Sequence, residues 1–564
     1  MLEFKDVAYS YNDFNTHLSE NSCIKESSPN VTISGCIESG KIVSLIGCNG
    51  SGKSTIAKLA CGMLMPVRGA IVCDGCLCND SLSRIRLRSQ VGYVGQDPFN
   101  QIVSTVCKDE VAFGPRNMGL SDQEIDARVH YALSAVGLLD YIDESSTQLS
   151  GGQQQRLAIA GVLAMHPSYL VLDEATSQLD STARSEIRLL TRRLANLGVG
   201  ILQITHDPLE ILSSDIVWYL DKGRIVWSGS VNSFVEHNEA LLSSLTMQSV
   251  YTSLLCRLIK DFHYPICLGI EPSSVYSWAL KNECFDFISQ YINNSFKQLS
   301  SELHHRKVST DLTVKNSVRC LTKISCFNIS FSYNKKQILH DISLSVHPGE
   351  ILLLCGATGS GKSSLARILS GLFKPDTGQV LSNSSQGIIG LTFQRPEDQL
   401  FLDTVEHEIS FGPTNLGFVG NKLKQSVDCA ANAMGIRPQM YPLDPRTLSG
   451  GQMRCVAIAS VLSMGCSSYI FDEPTSGLDA SGRVFLHHVV TRLAGNGCPI
   501  IVISHDIEEW IGVANRIAFL NKGNLLWEGT LLDVLSDVDV FEKVGIKAPE
   551  SFELLGIMNR VNTK

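Results

Sequence analysis

The 564-residue chain has no stretch of about 18 uncharged apolar residues, the length a helix needs to cross a bilayer, so any membrane role requires a partner. It also lacks a basic excess. Lys and Arg number 47 against 56 Asp and Glu, a net charge of −9, whereas a nucleic-acid binder usually carries a basic stripe. The opening MLEFKDVAYSYNDF holds Glu3, Asp6 and Asp13 and no long apolar run, so it does not read as a secretory leader. Cysteine is plentiful, at 18 residues, but Cys73, Cys76 and Cys78 have no second ligand pair at zinc-like spacing. They sit in GAIVCDGCLC, which reads as strand, Asp74-Gly75 turn and strand. The cysteines are expected to be reduced thiols of a cytosolic protein, many of them small core hydrophobes. A 44% hydrophobic and 18% charged composition excludes a disordered chain, and the length allows two to four domains.

What is present is a duplication. Ser150, Asp173, Glu174, Asp180 and His206 recur as Ser449, Asp472, Glu473, Asp479 and His505, every pair 299 residues apart. Each set follows a glycine-rich loop, GCNGSGKST at Gly47–Thr55 and GATGSGKSS at Gly356–Ser364. A repeat of this kind decides the architecture before any single motif does. Each half begins with alternating strands, LEFKDVAYSY and KISCFNISFSY. Apolar strands alternating with helices follow: KIVSLIG and EILLLCG before the loops, then SYLVLDE and SSYIFDE, then GILQITHD and PIIVISHD. That alternation predicts a mostly parallel α/β sheet with phosphates at the carboxyl ends of its strands. The first domain is placed at residues 1–235, a helical extension and linker at 236–319, the second domain at 320–540 and a C-terminal helical extension at 541–564. Within the linker, NNSFKQLSSELHHRKVSTD reads as a polar tail.

The loops carry the chemistry. Gly47, Asn49, Gly50, Ser51 and Gly52, and likewise Gly356, Thr358, Gly359, Ser360 and Gly361, let successive backbone amides turn onto phosphate oxygens. Lys53 and Lys362 are expected to reach the β- and γ-phosphates of ATP. Ser54 and Ser363 are expected to ligate Mg²⁺, with Thr55 and Ser364 completing the loops. Asp173 and Asp472 end apolar strands where a carboxylate holds Mg²⁺, and Glu174 and Glu473 are placed to act as general bases on water. His206 and His505 are candidates for a γ-phosphate or water contact. LSGGQ occurs twice; Ser150 and Ser449 read as helix N-caps, and Gly151, Gly152, Gly450 and Gly451 expose free amides, followed by Gln153 and Gln452.

Together these motifs resemble the ATP-binding-cassette (ABC) ATPases. The resemblance implies an α/β fold of two tandem P-loop nucleotide-binding domains, each with a mostly parallel sheet core, an antiparallel β subdomain and a helical subdomain. It implies an intramolecular pseudo-dimer packed head to tail, in which Lys53 works with Ser449 and Lys362 with Ser150. Gln96 and Gln394 match the glutamine that senses Mg²⁺ and water. Tyr11 and Tyr333 match the aromatic that stacks on adenine, and Asp180 and Asp479 the aspartate that crosses the interface. A narrower pattern follows each glutamine: QDPFNQIVSTVCKDEVAFGPRNMGL and QRPEDQLFLDTVEHEISFGPTNLGF. Its shared Q-x-P-x-x-Q and F-G-P-x-N-x-G resemble the ATPase subunits of energy-coupling-factor (ECF) importers of vitamins and metal ions. GIEPSSVYSWALKN and GIKAPESFELLGIMN are similar to the C-terminal extension of those subunits. The resemblance implies a transmembrane scaffold partner, a substrate-capture membrane partner and a place on the cytoplasmic face of the cell membrane. Three rivals fare worse. A tandem cassette acting on ribosomes usually has a basic connector, whereas residues 236–319 hold eight Lys/Arg and eight Asp/Glu. A sugar importer ATPase would lack the repeated F-G-P-x-N-x-G, and a DNA-repair cassette would need zinc-binding insertions.

One position departs from the pattern: LSGGQQQR places Arg156 where LSGGQMRC places Cys455. From sequence alone, the site built from Lys53 and Ser449 is therefore expected to be the weaker one. Turnover of Cys455→Arg in the assembled complex checks this; an unchanged rate refutes it.

Overall fold

The computed structural model describes residues 1–10, 31–48, 50–78, 80–96, 98–177, 179, 181–245, 249–305, 322–333, 336–357, 359–382, 388–537 and 539–562. The chain forms two compact units, Met1–Thr246 with Leu255–Ile270, and Met247–Leu254 with Glu271–Lys564. Each unit holds one α/β cassette, and each cassette is built on one short apolar strand. Ile42–Ile46 and Ile351–Cys355 are buried at every position, as expected of strands covered on both faces.

In the first unit, Ile42–Ile46 lies between Gly200–Ile204 and Ile216–Asp221, parallel to both. Tyr169–Asp173 and Val91–Val94 extend the parallel run, and Arg224–Ser230 pairs antiparallel on the other side. The second unit repeats this order in Ile389–Thr392, Ser468–Asp472, Ile500–Ile503, Ile351–Cys355, Arg516–Asn521 and Asn524–Gly529. Each cassette adds an antiparallel set of strands, continuous with the core sheet through Arg224 and Thr32 in the first and a separate three-stranded sheet in the second. The set comprises Leu2–Tyr9, Val31–Ile37, Arg68–Cys73 and Cys76–Leu77 in the first, and Ile324–Tyr333, Lys336–Val346 and Thr377–Ser382 in the second. Helices Cys107–Asn117, Asp122–Ala135 and Gly151–Leu163 form a helical subdomain, repeated as Val405–Asn415, Gly420–Ala433 and Gly450–Leu462. The Asp74-Gly75 turn forms as the sequence suggests. Both residues take positive φ, 48° and 81°, as a two-residue hairpin turn requires, and Cys73 pairs with Cys76.

The connector departs from the sequence reading. The first part of the polar tail is helical, as the end of a 21-residue helix, Phe285–His305. Ile288, Ile292 and Phe296 recur every four residues and are fully buried, so the Asn, Ser and Gln residues between them are its solvent face. Their dilution of the apolar stripe hides the helix from a composition-based reading. Phe296 packs on Phe552 of the C-terminal helix Glu550–Asn562, with ring centroids 4.9 Å apart. Phe552 meets Phe541 at 5.3 Å, and Phe541 meets Phe519 of the core sheet at 5.5 Å. This ladder of four rings ties the connector helix to the second cassette. Phe552→Ala should leave a cavity between two of these contacts and cost about 3–5 kcal/mol, read as a lower urea midpoint for unfolding of the second unit.

Candidate functional site

The sheet order decides what can meet. In each cassette the loop, the Asp-Glu pair and the histidine leave the carboxyl ends of three adjacent parallel strands. In the first cassette these are the ends of Ile42–Ile46, Tyr169–Asp173 and Gly200–Ile204.

The loops turn tightly against the sheet. A Cβ on Gly47 would lie 2.3 Å from the Leu220 carbonyl oxygen, and one on Gly356 would lie 2.1 Å from that of Leu520. Only glycine fits there. Lys53 Nζ donates to the Gly47 and Cys48 carbonyls at 2.7 and 3.2 Å. Lys362 Nζ donates to those of Gly356 and Ala357 at 2.7 and 3.0 Å. Each ammonium is thus held inside its loop at the start of the helix Lys53–Ala60 or Lys362–Leu369, where the helix end also favours an anion.

The carboxylates follow. Ser54 Oγ donates to Asp173 Oδ1 at 3.2 Å, and Tyr93 Oη to Asp173 Oδ2 at 3.1 Å. The second cassette has Leu391 where the first has Tyr93, and Asp472 Oδ1 is a buried oxygen without a hydrogen-bond partner. Burial pushes Asp472 up to about 6, against the Ser363 hydrogen bond; Asp173 is also raised by burial. An orphaned carboxylate oxygen beside a serine hydroxyl is a donor set that fits Mg²⁺. Glu174 and Glu473 both have positive φ, 51° and 47°, a backbone conformation that is strained for glutamate. Their amides extend the strand pairing, donating to the Ile204 and Ile503 carbonyls at 3.0 and 2.9 Å. His206 Nε2 lies 3.6 Å from Glu174 Oε1, and His505 Nδ1 lies 2.9 Å from Glu473 Oε2. Burial raises both glutamates, but the adjacent imidazole and lysine outweigh it and hold both below the usual carboxylate range.

The LSGGQ serines are N-caps. The Gln153 amide donates to Ser150 Oγ at 3.3 Å, and the Ser150 amide donates to Gln153 Oε1 at 2.9 Å. Ser449 and Gln452 repeat this reciprocal cap at 3.3 and 3.1 Å. Asp479 caps the helix Ala480–Gly495 by accepting from the Gly482 amide at 2.9 Å. Gln96 Nε2 reaches Ser177 Oγ at 3.4 Å. Tyr333 is 58% exposed, so its ring face is open. Gln394 lies in the bend that follows the strand Ile389–Thr392. Tyr11, Asn49, Asp180 and Thr358 lie outside the described residues.

Two pairs of residues escaped the sequence reading. Gln101, the second glutamine of Q-x-P-x-x-Q, accepts from the Gly95 amide at 3.0 Å and donates to the Tyr93 carbonyl at 3.3 Å. Gln399 likewise accepts from the Phe393 amide at 3.2 Å. They brace the backbone just before Gln96 and Gln394. Glu110 takes the Val103 and Ser104 amides, and Glu408 those of Phe401 and Leu402. The recurrence of these four residues in both halves was the available signal. The glycine of F-G-P has a packing reason too: a Cβ on Gly114 would lie 2.7 Å from Met165, and one on Gly412 would lie 2.5 Å from Met464.

A model of the ABC transporter family matches residues 31–177 and 339–476. The chain belongs to the ABC transporter family. A Methanosarcina mazei protein named "Putative ABC transporter ATP-binding protein" is 31% identical over 539 residues, covering 92% of this chain and 89% of that protein. A Bifidobacterium longum protein of the same description is 31% identical over 514 residues; the match covers 85% of this chain and spans 61% of that protein's length. A solved structure titled as a model of ribosome-bound archaeal Pelota and ABCE1 has a TM-score of 0.61 at 19% identity, covering 97% of this chain and 82% of that one, a likeness of fold alone. The family brings ATP binding to both cassettes.

Within this ABC ATPase the Arg156/Cys455 difference has a counterpart. Arg156 pairs with Glu186 at 3.1 Å, and 299 residues on from Glu186 stands Phe485. Phe485 presses on Gly435, just as Arg156 lies near Gly137. The two charged residues of that ion pair are thus replaced by a cysteine and a phenylalanine in the other half, and burial pushes the Cys455 thiol up to about 12. Cys455→Arg alone would force a larger side chain into a packed position without the glutamate it meets in the first half, and should cost about 1–3 kcal/mol of stability. Adding Phe485→Glu should recover most of that loss in thermal unfolding.

Proposed function

We propose that the chain is the ATP-hydrolysing component of an ECF-type membrane importer. In this reading its halves form two composite sites, Lys53 with Ser449 and Lys362 with Ser150. The observation that carries it is the doubled convergence of lysine, serine, aspartate, glutamate and histidine at the carboxyl ends of adjacent strands. In each site the loop amides and lysine hold the phosphates, and the histidine holds the glutamate. The glutamate, kept ionised by its imidazole and lysine neighbours, takes a proton from the attacking water. Mg²⁺, bound by Ser54 and Asp173 or by Ser363 and Asp472 with Gln96 or Gln394, would neutralise charge on the transferring phosphoryl group. Neither half encloses the γ-phosphate alone, so ATP draws the halves together and hydrolysis releases them.

The importer reading rests on the braced segment after each glutamine. It presents large apolar side chains to solvent: Val103 at 64% and Phe113 at 51% exposure, Phe401 at 63% and Phe411 at 44%. Phe401 and Phe411 meet edge to face at 5.0 Å. An apolar surface hinged on the residue that senses Mg²⁺ suits a membrane scaffold subunit. Among the described residues no helix is long and apolar enough to span a membrane, so the transmembrane part would come from that partner. It would hold the chain at the cytoplasmic face beside a substrate-capture subunit.

Glu174→Gln and Glu473→Gln should each slow ATP turnover by about 10²-fold or more, measured as phosphate release from the assembled complex. Near-normal hydrolysis in either refutes two equal sites. Phe113→Ala with Phe411→Ala should sharply reduce copurification of membrane proteins while the isolated chain hydrolyses ATP normally. Copurification of ribosomes in place of membrane proteins would overturn the importer reading.

A further inference from the structure

The one-turn helix Ile507–Trp510 follows His505 directly. Its two glutamates point to different partners. Glu509 Oε2 accepts from Thr475 Oγ1 at 2.9 Å, two residues beyond Glu473. Glu508 is half-buried against the helical extension. Its Oε1 accepts from the Ser551 amide at 3.0 Å and from the Ser551 hydroxyl, in the first turn of the C-terminal helix. Ser249, which precedes the connector helix Val250–Phe262, also hydrogen-bonds to it. Leu299 of the helix Phe285–His305 packs beside Gly512, so the same short segment is clamped from a third side. The first half has Leu209 at the position of Glu508, and leucine accepts no hydrogen bond.

We propose that Glu508 is a positioning residue that couples His505 of the second cassette to the helical extension, a coupling the first cassette lacks. Three contacts then converge on residues 505–510: Ser551 to Glu508, Thr475 to Glu509, and Glu473 to His505. A shift of the extension, as when a partner binds it, would move His505 relative to Glu473 and, through that site, slow the turnover cycle that the two sites share. Burial and the neighbouring Glu550 push Glu508 up to about 7, so the contact needs hydrogen bonding but no full charge.

The inference rests on the reading of His505 as part of an ATP site, and the test separates the two. ATP turnover of the full chain is measured for Glu508→Leu in wild-type, His206→Ala and His505→Ala backgrounds. Glu508→Leu should lower kcat about three- to tenfold with KM for ATP within about twofold, while Glu508→Gln stays close to wild type. The loss should persist in the His206→Ala background and vanish in the His505→Ala background. Ser551→Ala should show the same pattern in weaker form, and carries the test if Glu508→Leu does not fold. Equal losses in both histidine backgrounds, or none in either, overturn the coupling. Wild-type turnover of His505→Ala overturns the reading of His505 and the coupling with it.

Discussion

The pairing of one central strand with its two parallel neighbours governs each half of this protein. Ile42–Ile46 pairs with Gly200–Ile204 and Ile216–Asp221, and Ile351–Cys355 pairs with Ile500–Ile503 and Arg516–Asn521. These ladders fix the heights at which the loop, the carboxylates and the histidine leave the sheet. They also place the Leu220 and Leu520 carbonyls so close to the loop that only glycine fits. Strain tolerated at Glu174 and Glu473 depends on the same ladders, because each amide is tied to the histidine's own strand. A side chain in an unfavourable backbone conformation is kept there by its surroundings, as is common at working sites.

The duplication is a template that the two halves fill differently. Tyr93 satisfies Asp173, while its counterpart Leu391 leaves Asp472 more desolvated. At the positions of Arg156 and Glu186 the second half carries Cys455 and Phe485, a change at both positions that removes the ion pair. Leu209 becomes Glu508 and gains hydrogen bonds to the extension. Each exchange lies within reach of a motif residue but leaves the motif itself intact.

Much of this was legible in the chain. Apolar runs ending in Asp-Glu or in His-Asp announced buried parallel strands, because a strand covered on both faces is apolar throughout and meets polar residues only where it leaves the sheet. Asp74-Gly75 announced its own turn, since two positive φ values suit glycine and aspartate. The helix Phe285–His305 was not legible as far as its end. Its buried stripe of Ile288, Ile292 and Phe296 is spaced among polar residues and gains meaning only against Phe552 and Gly512. That Arg156 meets Glu186 was not legible either, because the two lie 30 residues apart and nothing in the local sequence joins them.

The sequence by itself determined the family and the two cassettes, and it singled out the candidate phosphate and carboxylate residues, because such motifs depend on residue type at short spacing. Tertiary structure decided which partners each residue has. Gln101 braces the loop before Gln96, Glu110 gathers the amides beyond it, and Glu508 reaches Ser551, 43 residues away. The first two span only six or seven residues and leave a trace as residues repeated in both halves, but the Glu508–Ser551 contact joins elements distant in the chain, and local pattern carries no record of it.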